Sequence, residues 1–156
     1  MSCPFPSFVL RNLAFTEATC DALPDVATYL TRFGFENITV VTEDDYVLEM
    51  AHVTTDFNGD PSDNAGRKGP LLVIHDQDTD GTSFLENFDN FEPRLVTTFF
   101  NDGWDLYIAN MRGTKPSRKH NTFDPDGTGA DGAADYWNFD ISTQAEFDVP
   151  AMVNAI

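Results

Sequence analysis

The run 71–84, LLVIHDQDTDGTSF, sets carboxylates at alternate positions, Asp76, Asp78 and Asp80, directly ahead of Gly81. Oxygen ligands at the first, third and fifth places with glycine at the sixth open a calcium loop, because a hard cation wants several oxygens and the chain must turn sharply to supply them. The remainder is not spelled that way. Position twelve is Asn87, Glu86 stands one place early, and the entering residues LLVIH read as a strand rather than a helix. A second string, Asp124, Asp126, Gly129 and Asp135, has ligand-like spacing with glycine and alanine between the acids. In a chain with 26 acidic residues such spacings arise by chance, so Asp76, Asp78 and Asp80 are weak calcium candidates, and no metal or cofactor is expected. Acyl transfer by a serine would need G-x-S-x-G between a strand and a helix. The nearest string, Gly81-Thr82-Ser83-Phe84-Leu85, lacks the last glycine and the strand.

These residues must be held by ordinary elements. Pro24 suits a first helical turn, Val26, Tyr29, Leu30 and Phe33 share a face, and Gly34 can end the turn, which predicts a helix over 24–33. ITVVT and YVLEMAHV, separated by EDD, read as a hairpin. LLVIH is the continuous apolar run of a strand buried on both faces. RLVTTFFNDG spaces Leu95, Val96, Phe99 and Phe100 as a helix with Gly103 as its stop, and WDLYIAN alternates as a strand. Strand, helix, strand implies a right-handed crossover and a parallel pair whose carboxyl ends, HDQD and NMRG, carry the functional loops. The residues 114–140 read as one long structureless loop, functional or stitched to a neighbour. At the end, Asp148 is placed to cap a helix with Pro150 in its first turn.

The totals fit one packed domain: 156 residues, 41% hydrophobic, with 14 Phe and 2 Trp. A net charge of −17 repels nucleic acid and anionic membranes and favours cations or basic partners, or else is a solvated acidic surface. No run approaches the roughly 20 apolar residues that span a bilayer, so no transmembrane segment is expected. No signal sequence is read at the amino terminus as given. Cys3 and Cys20 could close one loop but have neither a disulfide framework nor metal spacing around them. Asn37-Ile38-Thr39 is a glycosylation acceptor if the chain is secreted.

Taken in order, VTEDDYVLEM, NDGWDLYIANMRG, SRKH, YWNFD and FDVPAM resemble the words VTEDGY-I/L-L-E, AGYDVWLGNSRGN, SRKH, FW-x-F-S-F-D-E-M and D-L-P-A of the acid lipase family of gastric and lysosomal lipases. The resemblance runs over residues 26–156 and makes 24–156 an acid-lipase-like amino-terminal region behind an extension at 1–23. It implies an α/β-hydrolase fold, here its amino-terminal half, and ester hydrolysis by a Ser, Asp, His triad whose residues would follow the D-L-P-A helix, so that no catalytic residue is assigned in this chain. Matched to the family's H-G-L, His75, Asp76 and Gln77 form a vestigial oxyanion turn, with the Gln77 N–H in the donor place and Asp76 where the family has glycine. A carboxylate there opposes a forming oxyanion, and loss of the glycine can remove the turn's conformation. Arg112 keeps the family's arginine and, with His120 of SRKH, is a structural loop residue expected to bridge the long loop to the sheet.

Three functions follow as expectations. The first is a non-catalytic structural or interaction subunit of a hetero-oligomeric assembly. The second is the amino-terminal part of a lipase that hydrolyses lipid esters once a carboxyl-terminal half completes it. The third is a calcium-binding acidic module. The first two need a protein partner, because a half sheet leaves an open edge after WDLYIAN and helix faces such as Leu95/Phe99 and Met152/Ile156 short of packing. The family resemblance suggests a secretory, lysosomal or extracellular location.

Overall fold

The computed structural model describes residues 34–56, 60–61, 66, 68–84, 94–128 and 132–156. Strands β1 (Phe35–Val41) and β2 (Tyr46–Val53) form the expected hairpin, in register from Phe35 opposite Val53 to Val41 opposite Val47. Its turn is closed by Thr42 N–H to the Tyr46 carbonyl at 2.9 Å and holds Asp45 at φ 71°, the place where the family pattern VTEDGY has glycine. Aspartate is among the few side chains that tolerate this left-handed conformation.

Strand β3 (Pro70–Val73), helix α1 (Arg94–Asn101) and strand β4 (Asp105–Ala109) make the crossover read from the sequence, with β3 and β4 parallel from Pro70 opposite Asp105 to Val73 opposite Ile108. Gly103, at φ 93°, follows the helix as anticipated. The sheet runs β1-β2-β4-β3, antiparallel except for its last pair. Its two faces bury alternate residues. Ala51, Val53, Leu106 and Ile108 pack with Val96 and Phe100 of α1, while Leu48, Met50 and Ala109 pack with Tyr136 and Met152 from the carboxyl-terminal third.

Five expectations are corrected. WDLYIAN is not an edge: β4 lies between β2 and β3, and it is β3 whose far side has no strand among the described residues. An edge strand cannot be fully covered, and Leu71, Leu72 and Val73 are accordingly only half-buried. The long loop is not structureless, since β5 (Lys119–His120) pairs with Tyr46 and Val47, and a short helix α2 (Ala133–Tyr136) places Tyr136 in the core. The last helix starts earlier than Asp148. Asp140 accepts the Thr143 N–H at 3.0 Å in a capping box for α3 (Ile141–Thr143), and a π-helical turn, Gln144–Asp148, leads into α4 (Val149–Asn154). Asp148 caps nothing because its carboxylate is spent on Arg112. Met152 is fully buried rather than short of packing, whereas Leu95 and Ile156 are exposed. The expected helix over 24–33, the segment 1–23, Cys3 and Cys20 lie outside the described residues.

Candidate functional site

Parallel pairing of β3 and β4 sets their carboxyl ends side by side, so HDQD and NMRG meet. The Met111 N–H donates to His75 Nε2 at 3.0 Å. That fixes the tautomer: Nδ1 carries the proton and donates to the Asp76 carbonyl at 2.8 Å. Beyond it, the Gln77 N–H donates to Oδ1 of Asp76 at 2.8 Å, and the Thr79 hydroxyl donates to the Asp76 carbonyl at 2.8 Å. The N–H that matched the oxyanion donor is thus taken by the side chain preceding it. Asp76 is not in the left-handed region; the strained residue of this turn is Asp78, at φ 64°.

The turn is closed against β4 at Gly81, whose N–H donates to Asn110 Oδ1 at 2.9 Å. A Cβ there would lie 2.7 Å from Ile108 Cγ2 and 3.0 Å from the Ala109 carbonyl oxygen, so close approach requires glycine. Asn110 Nδ2 in turn donates to the Glu49 carbonyl at 3.2 Å, and buried Ser117 donates to the Asn110 carbonyl at 2.6 Å while accepting the Glu49 N–H at 2.9 Å. Asn110 and Ser117 were not singled out in the sequence, because short polar residues in a turn carry no periodic signal.

Arg112 is the buried ionic node. Its guanidinium reaches both oxygens of Asp44 at 2.6 and 2.8 Å, and its Nε donates to Asp148 Oδ1 at 2.7 Å. Its backbone N–H donates to Asp148 Oδ2 at 3.0 Å, and the guanidinium lies 3.8 Å over the Tyr46 ring. It therefore ties the β1–β2 turn to the last helix, and both charged partners lie outside the long loop it was expected to bridge. Burial by itself would raise Asp44, but hydrogen bonds from Arg112 and Thr42 hold its carboxyl below the ordinary range. Burial pushes Asp148 up, against the pull of Arg112. Arg112 is raised in turn, its two carboxylates outweighing the burial that would lower it. Burial also pushes the Tyr136 phenol up to about 12.

The three histidines stand apart. His120 in β5 accepts the N–H groups of Thr122 and Phe123 on Nδ1, each at 3.0 Å, and donates from Nε2 to the Asp44 carbonyl at 2.9 Å. His52 in β2 meets Asp105 Oδ1 at 2.7 Å and stacks on Tyr107 at 4.5 Å, at the opposite end of β4 from His75. The acids of the calcium-like string are turned to local donors: Asp80 Oδ1 accepts the Thr82 N–H at 2.9 Å, as Asp76 accepts that of Gln77. Among the described residues no three His, Cys, Asp or Glu side chains gather where they could hold a metal ion. Nor, among those residues, is any helix long and apolar enough to cross a membrane.

No protein-family model matches the chain. Curated relatives do. Triacylglycerol lipase 2 of Arabidopsis thaliana is 30% identical over 126 residues, 80% of this chain and 28% of its own length. Gastric triacylglycerol lipase of Homo sapiens is 25% identical over 134 residues, 85% of this chain and 31% of that protein. Lysosomal acid lipase/cholesteryl ester hydrolase of Rattus norvegicus is 26% identical over 141 residues, 87% of this chain and 32% of that protein. This chain spans about 30% of the length of these relatives.

Proposed function

We propose, for a chain that resembles gastric and lysosomal lipases over 85 to 87% of its length, a lipase-like half-domain of the α/β-hydrolase kind that serves as a non-catalytic interaction subunit. The observation that carries this reading is the bond from the Gln77 N–H to Asp76 Oδ1 at 2.8 Å. An oxyanion hole needs N–H donors aimed at, and available to, the oxygen on which charge develops. Here the donor in the matched position is already paired, and paired with an anion that would also repel the developing charge. His75, by holding Met111 and Asp76 together, keeps that closed turn against β4.

The partner in this reading adds to β3. Among the described residues its far side pairs with no strand, and an edge of that kind is closed in a stable protein by another strand or a covering element. A second reading, the amino-terminal part of an active ester hydrolase, draws support from the names of the relatives, which act on triacylglycerols or cholesteryl esters by their printed descriptions. In it the β3 edge is where the remaining two thirds of a hydrolase would pair.

The test is ester hydrolysis by natively purified material with everything that copurifies, using p-nitrophenyl butyrate, for wild type and Asp76→Gly. Hydrolysis absent from the wild type supports the interaction role. Turnover by the wild type that is abolished by a serine-directed phosphonate would sink it, and a further rise in Asp76→Gly would identify the carboxylate as the restraint on an active enzyme.

A further inference from the structure

We infer that Asn37 is an N-linked glycan attachment site, placed so that the sugar guards one edge of the sheet. The triplet Asn37-Ile38-Thr39 is the only Asn-x-Ser/Thr sequence in the 156 residues. Such triplets occur by chance, so the case rests on where the fold puts this one. Asn37 lies in β1, the outer strand of the hairpin, which among the described residues pairs on its β2 side only. It is exposed, and the residue directly opposite on β2 is Ala51. Among the described residues no hydrogen bond holds the Asn37 side chain. Thr39, two places on and therefore on the same face, is exposed as well, its hydroxyl engaged only in a surface bond to Glu49 Oε1 at 2.9 Å.

A glycan here displaces no side-chain hydrogen bond of Asn37 among the described residues. The reaction joins Asn37 Nδ2 to the anomeric carbon of an oligosaccharide carried on a lipid pyrophosphate. The carbon–oxygen bond to the pyrophosphate breaks, the lipid pyrophosphate leaves, and the amide nitrogen gives up one proton. The product carries a bulky hydrophilic group on β1, whose outer side meets no strand among the described residues. Sheet edges pair promiscuously unless something blocks them, and β1 has no proline or lysine to do so. With β1 shielded, association is directed to the β3 edge at the other side of the sheet.

The test is translation of the full chain behind a cleavable secretion signal in the presence of microsomes, scoring the protease-protected fraction. One glycan-sized shift that peptide:N-glycosidase removes is expected in the wild type and in Thr39→Ser, which keeps the acceptor triplet. It should vanish in Asn37→Gln and Thr39→Ala. A protected wild-type chain of unshifted size, or a shift that survives in Asn37→Gln, overturns the inference.

Discussion

Asp148, from the π-helical turn, presents both carboxylate oxygens to Arg112, one to its Nε at 2.7 Å and one to its backbone N–H at 3.0 Å, with both side chains wholly buried. A π turn carries an extra residue per turn, and here it brings the carboxylate inward while α4 still lays Met152 into the core. Removing one partner of such a pair strands the other charge in a dry site. Asp148→Ala is therefore expected to cost about 3–5 kcal/mol in urea unfolding. Asp102→Ala, at the exposed contact with Lys68, should leave the midpoint where it was.

Acid should weaken the fold through Asp44. Its carboxyl is held below the ordinary value of 3.8: burial raises it, but the hydrogen bonds from Arg112 and Thr42 outweigh that. A group whose folded pKa is depressed adds stability above its unfolded pKa and loses it as pH falls through the folded one. Asp148 is shifted the other way by burial, so it does not add to this acid loss. Unfolding midpoints followed downward from pH 6 should fall below about pH 4, and more shallowly in Asp44→Asn than in the wild type. Parallel curves would show that the Arg112 contact contributes nothing to the pH dependence.

Elements with a period were legible in the sequence. The hairpin, α1 and the β3–β4 parallel pair follow from alternation, from helical spacing at Leu95, Val96, Phe99 and Phe100, and from Gly103. Strand order was not, because β4 inserts between β2 and β3 through contacts distant in sequence. Asp148 looked like a cap because aspartate before Val-Pro is what a cap looks like, and only the fold reveals that Arg112 claims it. For the candidate site, the meeting of HDQD with NMRG was legible from the crossover rule. The closure of the Gln77 N–H by Asp76 was not, since it depends on one side-chain rotamer.

His75 supports the site by accepting the Met111 N–H at 3.0 Å. Met111 is buried and the bond is partly so, and a ring of similar size without an acceptor takes that donor's partner away. His75→Phe is expected to lose about 1–3 kcal/mol of stability and to speed amide exchange at Met111 selectively. Unchanged exchange at Met111 would mean that the bond is not what joins the ends of β3 and β4.

Two glycines with positive φ separate backbone strain from crowding. Gly69, at φ 95°, has nothing within 4 Å of the place a Cβ would take. Gly113, at φ 83°, would set its Cβ 2.8 Å from Phe139 Cζ and 2.9 Å from Trp137 Cζ3. Alanine at Gly69 meets only the left-handed penalty, about 1–2 kcal/mol. At Gly113 it meets that penalty and must also push two aromatic rims apart, an overpacking cost of about 1–3 kcal/mol more. Those rims belong to the segment that seats Tyr136 against the sheet, so the Gly113→Ala defect should appear as Trp137 fluorescence shifted in the native state. Equal losses at the two positions, with unchanged fluorescence, would show that the aromatic contact at Gly113 yields freely.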